Sequence, residues 1–111
     1  MQPKQIAQAA REAGEDKKAE EPLILDIAKL TSIANYFVIM HGNSDRQIRA
    51  IADHIVDSLE KKKVRCLHVE GMDSGNWVLL DYGSVIVHIF YRETREFYGI
   101  ERLWGEAPLV S

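Results

Sequence analysis

Two apolar runs, Trp77-Val78-Leu79-Leu80-Asp81-Tyr82 and Val85-Ile86-Val87-His88-Ile89-Phe90-Tyr91, are separated only by Gly83-Ser84. No other feature constrains the fold as tightly. Two intervening residues with glycine first suit a tight hairpin whose first central residue has positive φ. Such a turn fixes the register, with Tyr82 opposite Val85, Leu80 opposite Val87 and Val78 opposite Ile89 on one face of the sheet. That face is apolar enough to be core. The reverse face pairs Asp81 with Ile86, Leu79 with His88 and Trp77 with Phe90, setting a carboxylate and an imidazole among large aromatics. Asp81 and His88 are diagonal neighbours there. Either they satisfy one another beneath a covering helix, or the face is a recognition surface built around Trp77. The residues by themselves favour the first.

The remaining elements follow from periodicity. Ile6, Ala9, Ala10 and Ala13 recur at helical spacing, with Gly14 as a stop before a charged link to Pro22. Leu23 to Ile27 and Tyr36 to Met40 are compact runs of strand formers. Ser44-Asp45-Arg46-Gln47 is a capping box, in which the Ser44 hydroxyl and the Gln47 side chain would satisfy backbone amides reciprocally. Ile48, Ile51, Ala52, Ile55, Val56 and Leu59 then form one helical stripe, ending at Lys61-Lys62-Lys63 where cations complement the helix dipole. A short strand at Cys66 to Glu70 and a turn-rich loop, Gly71 to Asn76, lead into the hairpin. The last helix should begin near Thr94 and pack on the sheet through Phe97, Ile100, Leu103 and Trp104, weakened at Gly99 and ended by Gly105 and Pro108. The order α-β-β-α-β-β-β-α implies an α/β fold with a mixed sheet of about five strands flanked by helices. A single domain over residues 1–111 is expected, with a helix and link over 1–20 and a tail over 105–111.

At 111 residues the chain can bury enough surface to fold without disulfides or metals. Its lone Cys66 forms no internal disulfide, and no run is long enough for a membrane span. The first twenty residues mix Lys4, Arg11, Lys17 and Lys18 with Glu12, Glu15, Asp16 and Glu20 around no apolar core. They read as neither a secretory signal nor a transit peptide. From Glu70 onward seven acids face three arginines, which disfavours direct DNA or RNA contact and suits a basic protein partner. Plain solvation explains the same acids at lower cost.

Catalytic chemistry is poorly supplied. Gly42-Asn43-Ser44, after a strand and before a helix, resembles the phosphate-holding turn of nucleotidyltransferases, yet the strand after that helix offers only Glu70 and the next only Asp81. Two-metal phosphoryl transfer needs converging carboxylates, and none converge here. Neither Ser44 nor Ser84 lies in a nucleophile elbow, and Cys66 lacks a helix N-terminus to activate it. His41, His54, His68 and His88 lie in separate elements, without zinc-site spacing. No metal or cofactor is expected.

Several segments, taken together, closely resemble the ribosomal silencing factor family, also called Iojap or RsfS. They are Asn35-Tyr36-Phe37-Val38-Ile39, Gly42-Asn43-Ser44 with Gln47, Ala50-Ile51-Ala52, Glu70-Gly71, Gly75 to Gly83, Val87-His88 and Phe97 to Trp104. The resemblance runs from about Leu25 to Trp104. It implies a non-enzymatic translation inhibitor of nucleotidyltransferase-like fold that binds the large ribosomal subunit through ribosomal protein L14 (uL14). Such a factor blocks joining of the small subunit and represses translation under nutrient limitation. A bacterial cytoplasmic location would follow. Ser84 departs from the acid usual in the family after Asp81-Tyr82-Gly83, removing one charge beside the presumed contact.

On this resemblance Trp77 would be the aromatic anchor, and Asp81, Glu70, Asp73 and Glu101 would meet basic residues of the partner. Tyr82, His88, Tyr98 and Trp104 would shape the site. Two alternatives stand beside it: a nucleotide-binding or nucleotidyltransferase-like enzyme using the Gly42 turn, and a generic homodimeric interaction domain whose aromatics bury one another.

Overall fold

The computed structural model describes residues 1–111. Along the chain run α1 (Pro3–Asp16), β1 (Glu20–Asp26), β2 (Tyr36–Gly42), α2 (Asp45–Lys61), β3 (His68–Glu70), β4 (Trp77–Asp81), β5 (Val85–Tyr91), α3 (Arg92–Tyr98) and α4 (Ile100–Leu103). The expected α/β architecture forms: a mixed five-stranded sheet in the order β1-β2-β5-β4-β3. Strands β2 and β5 are parallel, and every other neighbouring pair is antiparallel.

The hairpin register is the one its turn dictates, with Trp77 opposite Phe90, Leu79 opposite His88 and Asp81 opposite Ile86. Gly83 takes φ +82° at the turn, a conformation open to glycine at no steric cost. One sheet face, bearing Val78, Leu80, Tyr82, Val85, Val87 and Ile89, packs under α1 and α2 in the larger apolar core. The stripe Ile48, Ile51, Ala52, Ile55 and Leu59 of α2 is buried there.

Local chemistry explains the helix starts and stops, with two departures from expectation. Ser44 Oγ accepts the Gln47 N–H at 3.0 Å, but Gln47 Oε1 accepts the N–H of Asn43, at 2.8 Å, instead of that of Ser44. Its amide nitrogen also donates to the carbonyls of Lys17 and Lys18, so the side chain is drawn toward the end of α1. Gly14 does not stop α1, which continues to Asp16. It lies under Met40, whose Sδ a Cβ at position 14 would strike, so this glycine permits close packing within the helix.

The C-terminal region differs more. The helix starts at Arg92, directly off β5, and is not capped by Thr94. At Gly99 the backbone turns left-handed, φ +54°, splitting one expected helix into α3 and α4. A continuous helix would place Phe97 and Leu103 on the buried stripe with Ile100 and Trp104. The break leaves them 79% and 78% exposed. Ile100 and Trp104 instead pack with Phe37, Ile39, Phe90 and Ala107 in a second, smaller core on the reverse face. The tail is also held: Asp26 N–H donates to Pro108 O and Val110 N–H to Ile24 O, both at 2.9 Å. It thereby covers the β1 edge of the sheet.

Candidate partner-binding surface

Helices α3 and α4 cover only part of the reverse sheet face. Beyond them, toward β4 and β3, Trp77, Leu79, Asp81 and Ile86 remain partly exposed. Trp77 is wedged between Phe90, centroid distance 4.8 Å, and Tyr98, 5.0 Å. Its indole N–H donates to His88 Nδ1 at 3.2 Å, so what Trp77 offers a partner is ring surface. Tyr98 and Phe97 extend this aromatic area outward, their own rings in edge contact at 5.1 Å.

His88 is 4% exposed, and burial alone pulls its pKa down to about 4. It is neutral at neutral pH and acts as a fixed acceptor for Trp77. The expected Asp81–His88 pairing does not form. Asp81 Oδ1 accepts the N–H of Gly83 at 2.7 Å, because an Asp side chain reaches the amide two residues on more readily than a diagonal neighbour. Asp81 therefore staples the hairpin turn and sits partly exposed at the rim of the surface.

The other expected site residues divide. Glu70, opposite Leu79, lies on the same sheet face at the exposed edge, with its carboxylate 2.9 Å from His68 Nε2. Trp104, half-buried, packs on the smaller core edge-on to Phe37 at 5.3 Å. Asp73 is exposed on the loop leading into Trp77, its carbonyl fixed by Arg49 Nη2 at 2.6 Å. Tyr82 belongs to the opposite face, buried in the larger core, where burial and then Cys66 raise its phenol pKa. It does not touch the Trp77 surface, since strand alternation turns it away from its neighbour Asp81.

Glu101 is committed elsewhere. Its two oxygens take Arg95 Nε and Nη2 at 3.1 and 3.2 Å. Arg95 is 5% exposed, and its Nη1 also donates to His41 Nδ1 at 2.9 Å and to the Glu20 carbonyl at 3.4 Å. This buried network ties α3 and α4 to β1 and β2. Burial and the adjacent Arg95 charge lower the His41 pKa, keeping it an acceptor. Nothing in the sequence marks Arg95, one of three arginines in a highly charged stretch.

The Gly42 turn has several of its donors already occupied. Side chains take the amides of Arg46 and Gln47 in the first turn of α2, through Asp45 and Ser44, and the amide of Asn43 just before it, through Gln47. Asn43 Nδ2 is bound by the Glu20 carboxylate, which adds negative charge where a phosphate would sit. No group of three His, Cys, Asp or Glu side chains is placed to hold a metal ion. No helix is long and apolar enough to cross a membrane.

Known proteins resemble this chain in sequence and fold. A family model described as "Ribosomal silencing factor during starvation" matches residues 1–111. The ribosomal silencing factor RsfS of Bacillus subtilis is 44% identical over all of this chain and 94% of its own length. The mouse protein named "Mitochondrial assembly of ribosomal large subunit protein 1" is 31% identical over 79% of this chain and 40% of its own. A crystal structure of a Chromobacterium violaceum protein, 39% identical, superposes with a TM-score of 0.92 over 95% of this chain and 88% of that one. The chain belongs to the ribosomal silencing factor (RsfS) family.

Proposed function

We propose that this protein silences ribosomes without catalysis, by binding the large subunit through uL14 and occupying space that the small subunit needs. Supporting this reading is the half-open sheet face around Trp77: an aromatic surface, partly exposed and held rigid by Phe90, Tyr98 and His88, with Asp81 and Glu70 beside it. Rigid aromatics in an acidic frame suit a basic ribosomal protein, the rings supplying affinity and the carboxylates orientation. Large-subunit assembly in the name of the mouse relative points the same way. A bacterial cytoplasmic location accords with this role.

The anchor residues in this proposal are Trp77, Asp81 and Glu70, with Asp73 at the margin and Tyr98, Trp104 and His88 in support. Glu101 and Tyr82 act through the fold. The test is sedimentation of purified subunits with added protein: joined ribosomes should decline as protein rises, and undiminished joining at saturation would sink the mechanism. Trp77→Ala with Asp81→Asn should abolish capture of isolated uL14. Asparagine keeps an oxygen for the Gly83 amide, so the hairpin turn survives. A homodimer burying the same aromatics would appear instead as concentration-dependent mass in the absence of uL14.

A further inference from the structure

A cleft of about 760 Å³ lies away from the Trp77 surface and has no hydrophobic residue in its lining. It opens where the parallel strands β2 and β5 end, beside His41 and Arg92. The connections leave these strands on opposite faces of the sheet, β2 into α2 over the larger core and β5 into α3, whose Tyr98 packs on Trp77 of the reverse face. A crevice at such a reversal is the standard ligand position of open α/β sheets.

Its floor is built of two polar side chains more than nine-tenths buried, His41 and Arg95. Its walls carry charges of both signs, and Glu20, Glu96 and Glu101 line it together with Glu21, Arg92 and Arg102. On one side a bulge in β1 places Glu21 at φ +46°, a strained conformation for a residue with a side chain. The Glu21 carboxylate comes within 4.0 Å of His41 Nδ1 and has no cationic side chain of Lys or Arg within that distance. On the other side Arg92 reaches only Glu96, at 4.0 Å. Arg102 is held by nothing closer than the Glu96 carbonyl, at 3.5 Å. A bulge that re-aims an acid into a polar cleft where Arg92 is held only by a long ion pair and Arg102 by none is an arrangement that folding alone does not require.

We propose that this cleft binds a small zwitterion of the free α-amino acid class. The ligand carboxylate lies toward Arg92 and Arg102, and its ammonium group toward Glu21. Bidentate guanidinium contacts suit a carboxylate, and a wholly polar lining favours a polar side chain over an aliphatic one. The cleft shares no residue with the Trp77 surface, so the fate of the ribosomal reading does not decide it.

The experiment is an amide NMR titration of the full chain with L-glutamine. Glutaminamide, which keeps only the ammonium charge, and N-acetylglutamine, which keeps only the carboxylate, serve as controls. Saturable shifts should appear at His41, Gly99 and Gly105 with L-glutamine, and each half-charged analogue should bind about tenfold more weakly. Glu21→Gln and Arg102→Gln, both at exposed side chains, should each weaken L-glutamine by about the same factor. L-leucine should bind less tightly than L-glutamine. No shift at these amides with L-glutamine, equal binding of the half-charged analogues, or full affinity in both variants would overturn the proposal.

Discussion

The indole N–H of Trp77 donates to Nδ1 of His88 at 3.2 Å, and that bond fixes the tautomer of a buried imidazole. With Nδ1 accepting, the ring proton resides on Nε2, which has no hydrogen-bond partner. An orphaned polar atom beneath a partly exposed tryptophan is a cost to the fold. It is borne at the place where the aromatic surface must be held still.

The first prediction is a pH dependence of stability. The folded His88 titrates at about 4 and the unfolded one at its ordinary 6.5, so between these values the unfolded chain holds a proton the folded chain lacks. Stability is unaffected by His88 above that window and falls as pH drops through it, by about 3 kcal/mol in total. The lowered pKa of His41 adds a loss of the same sign. Urea midpoints measured across the window should decline with acid, and His88→Leu should flatten the decline without removing it. An unchanged slope in that variant would assign the dependence to other groups.

Separating ring from hydrogen bond at Trp77 gives the second. Trp77→Phe retains apolar packing against Phe90 and Tyr98 but leaves His88 Nδ1 unsatisfied, costing about 1–2 kcal/mol of stability. Trp77→Ala also opens a cavity and should cost about 3–4 kcal/mol. If ring surface is what a partner reads, uL14 capture survives the first change and is lost in the second. Equal loss in both would mean that the indole N–H is itself needed.

Two glycines of positive φ should respond differently to alanine. At Gly71, φ +88°, an added Cβ would overlap the Trp77 carbonyl oxygen. At Gly83, φ +82°, it would meet only Leu67 Cδ1, at 3.4 Å. Gly83→Ala therefore carries conformational strain alone, about 1–2 kcal/mol. Gly71→Ala must in addition displace the start of β4, and should cost at least about 3 kcal/mol. Denaturation midpoints decide this, and comparable costs would mean that the loop before β4 yields easily.

Much of this architecture is legible because two short-range rules leave little freedom. The Gly83-Ser84 turn sets the register of β4 and β5, and alternation from that register puts Tyr82 in the core and Trp77 on the reverse face. Grouping Tyr82 with the site came from resemblance, against what the strand pattern itself said. The partner of His88 was less accessible. Asp81 and Trp77 both lie within reach of it on the register, and the choice turns on the local competition of the Gly83 amide for Asp81. Least legible was the C-terminal corner. The same apolar spacing that suggests a buried helix leaves Phe97 and Leu103 outside once Gly99 turns left-handed, while Arg95, in a sequence that reads as solvent-facing, goes inside.

That inward arginine yields the last prediction. Arg95 is nearly fully buried and Glu101 about two-thirds so, which makes their bidentate contact an ion pair whose worth depends on both partners being present. Glu101→Leu leaves the guanidinium with His41 Nδ1 and the Glu20 carbonyl as its only partners, neither charged, and should cost about 2–3 kcal/mol after allowance for the exposed part of Glu101. Arg95→Leu leaves a carboxylate that can still turn toward water, and should cost somewhat less. The double replacement should cost less than the sum of the two, with a coupling of at least about 1 kcal/mol in a double-mutant cycle. Because α3 and α4 are tied through this pair, each single change should also weaken uL14 capture while Trp77 itself is intact. Additive costs with undiminished capture would show that Tyr98 is held against Trp77 by apolar packing alone, and that Glu101 serves neither the partner nor the surface that receives it.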